Sequence, residues 1–270
     1  MIANVLVTVS IMVGLGFSST FVHAKNAVAK ETKIELAWGE SIVEYEIDAE
    51  TYLSRWVPSM KPSDETLLMF PNWLGPDTQA SVDKARKLAL RGYNVFLVDV
   101  YGVSTRPQNP EEAAAASGAL RGDRDQLRLR AQVALSQLKS TNKGTDTITA
   151  IGFCFGGTAS LELARDGAEL NGFVSFHGNL DSPNPDDAKN IKAPVLILNG
   201  FDDPIVPQAQ IRAFEAEMTN AGVDWTLINY SQTVHSFTDP TANTPGFAEY
   251  NPRSARRAFA AMDQFIEDIN

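Results

Sequence analysis

Residues Thr147 to Gly157 read Thr-Ile-Thr-Ala-Ile-Gly-Phe-Cys-Phe-Gly-Gly, and no other stretch narrows so far what the chain can fold into. The β-branched run Ile148 to Ile151 has the character of a strand buried on both faces, and Ser160, Leu161, Leu163 and Ala164 have that of a helix. Cys154 therefore falls on a strand-to-helix turn, with Gly152 and Gly156 two residues away on either side. This G-x-C-x-G spacing is that of a nucleophile elbow with cysteine in place of serine. The glycines have a steric reason, because in so tight a turn a side chain two residues before or after the nucleophile collides with its neighbours. The same geometry lifts the sulfur clear of the sheet edge and puts it at a helix N-terminus, where the dipole and unpaired N–H groups favour thiolate over thiol. The plain alternative is a small buried hydrophobe on a Gly-rich turn. Strand, spacing and helix together favour chemistry.

A chain of 270 residues, 44% hydrophobic, suffices for one α/β domain with a sizeable core. Its 23 Lys and Arg against 33 Asp and Glu give a net charge of −10, which argues against nucleic acid or an anionic membrane surface as partner and for a small molecule. Residues 1–24 carry no Lys, Arg, Asp or Glu; Val5 to Phe17 forms an apolar core, and Val22-His23-Ala24 makes a small-x-small cleavage site before polar Lys25 and Asn26. The expectation is a signal peptide over 1–24 and a single exported domain over 25–270, periplasmic or secreted, with no membrane contact after cleavage. An uncleaved anchor is the alternative, since Ile2 to Phe21 is about long enough to span a bilayer when tilted. Cys154, the one cysteine, has no partner in its own chain for a disulfide and would remain a free thiol in an oxidising compartment. No signal for an oligomeric state is present.

Along the chain, Lys33 to Trp38 and Val43 to Ile47 alternate apolar and polar residues, as two paired edge strands would. From Thr66 the register changes to continuous apolar runs each followed by a helical stretch, the signature of a parallel sheet covered on both faces. Thr66 to Phe70 is the first of these strands, followed by a helix capped by Asp77 and stopped by Gly92; Tyr93 to Val100 is the next. The segment from Tyr101 to about Arg124 is less regular and would form part of a cover over the site. Leu127, Ala131, Leu135 and Leu138 then mark a helix, and Asn142-Lys143-Gly144 turns into the elbow strand. Gly172 to Phe176, Val195 to Asn199 and Asp224 to Tyr230 read as later strands. Ile211, Phe214 and Met218 mark another helix, and Asn251 with Pro252 starts the last one.

A hydrolytic triad on such a fold follows the chain order nucleophile, acid, histidine, each after the C-terminal end of a strand. The base is then His235, in the loop after the strand ending at Tyr230. His177 precedes any acid and takes a structural or pocket-wall role. Gly200-Phe201-Asp202-Asp203-Pro204 offers two acids, and spacing leaves both open.

The pieces Gly152-Phe153-Cys154-Phe155-Gly156-Gly157, Asp203-Pro204-Ile205-Val206-Pro207 and His235-Ser236-Phe237, with Phe176-His177-Gly178 and Asp99-Val100-Tyr101-Gly102, resemble the dienelactone hydrolase family of α/β-hydrolases from about Thr66 onward. The resemblance implies an α/β-hydrolase fold, a mostly parallel central sheet with helices on both faces. It implies hydrolysis of small esters or lactones, carboxymethylenebutenolidase-like, by Cys154, His235 and, through the family's D-x-x-V-P pattern, Asp203. A thioester acyl-enzyme would form, with its oxyanion held by the backbone N–H groups of Phe155 and Trp73. No cofactor and no metal is implied. Family members often place an acidic residue before the oxyanion donor, where this chain has Asn72, and an arginine four residues after the catalytic histidine, where it has Asp239. Arg106 lies near the place of a second substrate-binding arginine. Asn72, Tyr101, Arg106 and His177 are thus the expected pocket residues. Two other readings keep the fold: an exported thiol or redox protein, and a small-molecule binder without turnover.

Overall fold

The computed structural model describes residues 30–32, 37–141, 143 and 147–270. The expected signal peptide at 1–24 lies outside them, as do most of the expected strand Lys33 to Trp38 and of the Asn142-Lys143-Gly144 turn.

Six strands form the parallel part of the sheet: β4 (Glu65–Phe70), β5 (Asn94–Leu97), β6 (Thr147–Phe153), β7 (Gly172–Phe176), β8 (Val195–Gly200) and β9 (Trp225–Tyr230). Three more, β1 (Lys30–Thr32), β2 (Ser41–Ile47) and β3 (Glu50–Val57), extend it antiparallel, giving the order β1-β2-β3-β5-β4-β6-β7-β8-β9. The hairpin differs from expectation. Val43 to Ile47 lies between two antiparallel partners, β1 on one side, with Glu31↔Val43 and Lys30↔Glu44, and β3 on the other, from Ser41↔Trp56 to Ile47↔Glu50, and its tight hairpin is with β3. Its turn is Asp48-Ala49, at φ 50° and 66°. Two left-handed residues suit the twist of a tight hairpin, but they usually advertise themselves as Asn-Gly or Gly-Gly, and Asp-Ala does not.

The continuous apolar strands have the cause expected of them, since neighbouring residues feed opposite cores. Leu67, Met69, Ile151, Val174 and Leu196 meet Val82, Ala85 and Leu88 of α1 (Gln79–Arg91) and Ala258, Met262 and Ile266 of α6 (Pro252–Ile269). Leu68, Phe70, Ala150, Phe173 and Ile197 meet the helices of the other face, α2 (Pro110–Gly122), α3 (Arg124–Ser140), α4 (Phe155–Arg165) and α5 (Gln208–Ala221). The α6 start is as expected: Asn251 accepts from the Ser254 N–H, with Pro252 at the first helical position. The α1 start is not. Thr78, rather than Asp77, is the cap, its Oγ1 accepting from Ser81 N at 3.2 Å, while Asp77 pairs with Arg106.

Candidate active site

The β6–α4 junction forms because two positions cannot carry a side chain. A Cβ on Gly152 would lie 1.8 Å from the Gly156 carbonyl oxygen, and one on Gly156 would lie 2.2 Å from that of Phe70. Both obstacles are backbone and cannot swing away. Between them Cys154 adopts φ 55°, ψ −122°, a conformation that costs a non-glycine residue of order 1–3 kcal/mol. Gly156→Ala is therefore expected to destabilise the fold by about 3 kcal/mol or more, read as a drop in Tm of roughly 6–12 °C. Gly118→Ala, in α2 with nothing within 4 Å of the added carbon, should leave Tm level or slightly higher. Equal behaviour of the two variants would refute the steric account of the turn.

The Cys154 sulfur faces two backbone N–H groups, those of Phe155 and Trp73. Phe155 opens α4, so its amide points to the elbow by helix geometry. Trp73 is aimed by its loop. Asn72 Oδ1 accepts from Leu74 N at 3.0 Å, and the Asn72 carbonyl accepts from Gly75 N at 3.0 Å. The Tyr101 hydroxyl donates to the Trp73 carbonyl at 2.8 Å and its ring stacks on Phe155 at 5.9 Å, tying the two donors together. Asn72 and Tyr101 thus act by shaping the loop.

His235 and Asp203 are buried, and His235 Nδ1 meets Asp203 Oδ2 at 2.8 Å. The other oxygen of Asp203, Oδ1, accepts from Ile205 N at 2.8 Å. Asp202 is exposed and meets the loop through its backbone, donating from N to the Thr233 carbonyl at 3.0 Å. Of the two acids the sequence leaves open, Asp203 is the one at the histidine. A pairing of His235 with Ala248 braces the histidine loop, with His235 N on the Phe247 carbonyl at 3.2 Å and Glu249 N on the His235 carbonyl at 3.0 Å.

Charge organises the rest. Burial pushes the Cys154 thiol up, but His235 and the Phe155 and Trp73 N–H groups outweigh it and hold it below the ordinary thiol range. Burial works against the charged form of His235, and Asp203 and the Cys154 sulfur overcome it, so the imidazole is pushed up to about 10. Both shifts run toward the charged forms, thiolate at Cys154 and imidazolium at His235. His235 Nε2 is buried without a partner in full hydrogen-bond geometry, so its contact with the sulfur is looser than a formed bond. Resting catalytic pairs commonly tighten only around substrate.

His177 lies beneath the elbow. Its Nδ1 accepts from the Cys154 N–H at 3.2 Å, so Nε2 carries the proton and donates to Thr238 Oγ1 at 2.9 Å. Burial, together with the charges of His235 and Lys84, holds His177 well below the usual histidine range, in the neutral form this arrangement needs. Arg106 departs from its expected place in the pocket. Its Nη2 reaches Asp99 Oδ2 at 2.6 Å and the Leu53 carbonyl at 3.1 Å, while Nη1 pairs with Asp77. Asp99 is fully buried and holds Arg106 there, because an uncompensated buried carboxylate would be costly. Lys84 and Thr238 were not foreseen. Lys84 Nζ sits 3.9 Å above the Phe153 ring and donates to Thr238 Oγ1 at 3.4 Å, and burial pushes it down to about 8 against the pull of Asp239 and the Cys154 sulfur. Only its place on the half-buried edge of the α1 apolar stripe hinted at this.

The family model for the dienelactone hydrolases matches residues 52–270. The chain belongs to the dienelactone hydrolase family. Like the family, it is a hydrolase with a small-molecule substrate. It is similar to a dienelactone hydrolase-like promiscuous phosphotriesterase, P91, from metagenomic libraries, at 32% identity and TM-score 0.78 over 85% of this chain and 98% of that one. An uncharacterized Caenorhabditis elegans protein is 30% identical over 154 residues, 53% of this chain and 93% of the relative. An Escherichia coli K12 protein provisionally named carboxymethylenebutenolidase is 27% identical over 174 residues, 57% of this chain and 61% of its own length. This dienelactone hydrolase-family chain departs from the sequence expectation at Arg106, which is held by Asp99 and Asp77.

Proposed function

We propose that the chain hydrolyses small, neutral carboxylic esters or lactones through a triad of Cys154, His235 and Asp203. The observation that carries this reading is the alignment of a buried Asp203–His235 pair, 2.8 Å apart, with a sulfur that already faces the N–H groups of Phe155 and Trp73.

The chemistry follows from those positions. The Cys154 thiolate attacks the carbonyl carbon, and the carbonyl π electrons move to oxygen. The Phe155 and Trp73 N–H groups, which hold the resting sulfur, transfer their bonds to that oxyanion. Giving up those bonds makes the sulfur more nucleophilic as the transition state forms. His235, protonated at Nε2 and held at Nδ1 by Asp203, delivers its proton to the departing alkoxide as the C–O bond breaks. A thioester remains. Water then loses a proton to His235 Nε2 and attacks the thioester, and collapse of the second tetrahedral intermediate releases the carboxylic acid and restores the thiolate. In a lactone the leaving alcohol stays tethered to the acyl group.

The preference for a neutral substrate rests on Arg106 and Asp239. Arg106 is committed to Asp99 and Asp77, and Asp239 stands where an arginine would be needed, so a substrate carboxylate meets no free guanidinium on these positions. A screen of matched esters and lactones with and without a carboxylate tests this, with a neutral phosphotriester, the class named for the metagenomic relative, included. Neutral members should have the higher kcat/KM. A tenfold or greater preference for the carboxylate-bearing members would overturn the assignment.

The ion pair has a separate test in pH. Because Cys154 lies below the ordinary thiol range, alkylation by iodoacetamide should stay fast well below pH 8 and fall only as the sulfur protonates. Hydrolysis needs the imidazolium too, so kcat/KM should lose its alkaline side as pH rises through about 10, while alkylation does not. An alkylation rate that tracks an ordinary free thiol would remove the ion pair and favour a small-molecule binder without turnover.

A further inference from the structure

A cleft of about 600 Å³ opens between α1, α6 and the loop that follows His235, a volume suited to a small ligand. Its wall is apolar where Leu88 and Phe259 meet, and Leu90 and Tyr250, two of the large apolar side chains left more than a third exposed, stand on its rim. Charged groups converge on the same space. Lys84, Lys87 and Arg256 line it, and among the described residues no ion pair claims any of the three. The two carboxylates on the wall are each hydrogen-bonded within their own segment, and Asp239 also acts on Lys84 at longer range. Asp83 accepts from Gln79 Nε2 at 2.7 Å, and Asp239 Oδ1 from Thr241 N and Oγ1 at 2.9 and 2.8 Å. Arg91, also on the wall, is neutralised by Asp263. Three free cations against two carboxylates leave a single net positive charge, in a chain whose net charge is −10. Such a site suits an organic monoanion better than a phosphate dianion.

The cleft also touches the catalytic machinery from behind. Lys84 Nζ donates to Thr238 Oγ1 at 3.4 Å, that oxygen accepts from His177 Nε2 at 2.9 Å, and His177 Nδ1 accepts from the Cys154 N–H at 3.2 Å. We propose that the cleft binds an organic monocarboxylate with an apolar body, its anionic end on Lys84 and Lys87 and its body against Leu88, Tyr250 and Phe259, and that occupancy is felt at Cys154 through Thr238 and His177. A carboxylate at Lys84 offsets the positive charge that favours the Cys154 thiolate and draws Nζ from Thr238. Occupancy therefore makes the sulfur less reactive. The acid released by the proposed hydrolysis belongs to this ligand class, which would make the cleft a product sensor; that consequence, and the alkylation readout below, rest on the reading of Cys154 as a thiolate nucleophile.

The test uses decanoate, with decanol as the uncharged analogue, titrated calorimetrically into the full chain. Two surface variants keep the core intact: Lys87→Glu reverses an exposed charge, and Ala260→Trp fills the cleft from an exposed position on α6. Decanoate should bind more tightly than decanol, and each variant should weaken decanoate at least about tenfold. Saturating decanoate should slow iodoacetamide alkylation of Cys154 several-fold in the parent chain and far less in the variants. Decanoate affinity unchanged in both variants overturns the proposal, because the ligand then sits elsewhere. Binding at the cleft that leaves the alkylation rate where it was overturns it as well. The calorimetric arm is independent of Cys154, whereas a failure of the unliganded chain to be alkylated would count against the proposed nucleophile alone.

Discussion

Cys154→Ala should reduce hydrolysis of an activated ester to the uncatalysed background, a loss on the order of 10⁴-fold or more, while the protein folds as before. The loss follows from chemistry, since no other side chain at the elbow can carry the acyl group. The fold survives because the change removes one sulfur at a half-buried position and leaves Gly152 and Gly156 in place. Backbone geometry supplies a sharper companion test. At φ 55°, ψ −122° a glycine is unstrained where alanine is not, so Cys154→Gly should be equally inactive and yet at least as stable as Cys154→Ala, despite the entropy that glycine usually costs. Cys154→Ser should also be strongly impaired. A serine hydroxyl does not ionise beside His235, so the imidazole loses one of the two partners that push it up to about 10. Thermal unfolding and initial rates on the three variants decide the matter. Turnover retained in Cys154→Ala at unchanged Tm would place the nucleophile elsewhere.

What the sequence discloses, and what it hides, divides along local lines. The elbow is legible because its cause is local: two glycines whose absent side chains would strike backbone atoms within a few residues or one strand away. The parallel strands are legible because both of their faces are buried, which writes an unbroken apolar run. The β2–β3 hairpin is hidden because Asp48 and Ala49 adopt left-handed conformations without the residue types that usually signal them. Longer-range pairings leave still less trace. Arg106 looks available for a substrate carboxylate until the fold brings buried Asp99 to it, and Asp77 looks like a helix cap until Arg106 draws it away. The same holds for Arg165, fully buried within α4, whose two carboxylate partners are Glu162 one turn earlier and Glu217 on α5. Lys84 and Thr238 stand 154 residues apart and carry no motif, so their line to His177 exists only in three dimensions. Spacing likewise cannot choose between Asp202 and Asp203. Family resemblance favours Asp203, and the geometry supplies the reason: the turn that lets Ile205 N donate to Asp203 directs its second oxygen at His235.

That turn makes Asp203→Asn the second large loss. Asp203 uses both oxygens as acceptors, one for Ile205 N–H and one for His235 Nδ1–H. An asparagine has a single acceptor oxygen. If it serves Ile205, the amide NH₂ faces His235 and forces the proton onto Nε2, the tautomer that cannot take a proton from water. If it serves His235, the NH₂ opposes the Ile205 N–H and the turn opens. Activity should fall between about 10²- and 10⁴-fold, the lower figure applying if the resting thiolate survives without the carboxylate. The substitution also removes a group that raises the His235 pKa, so the alkaline limb of kcat/KM should move to lower pH than in the parent chain. Asp202→Asn changes an exposed side chain with no bond to the site and should stay within about 0.5 kcal/mol of the parent in stability, with its pH limb unmoved. The pH limb separates orientation of the histidine from mere loss of structure, because a damaged fold lowers the amount of active protein without changing where the survivors titrate. Equal losses in the two variants, or a limb that shifts in Asp202→Asn instead, would take the acid's role away from Asp203.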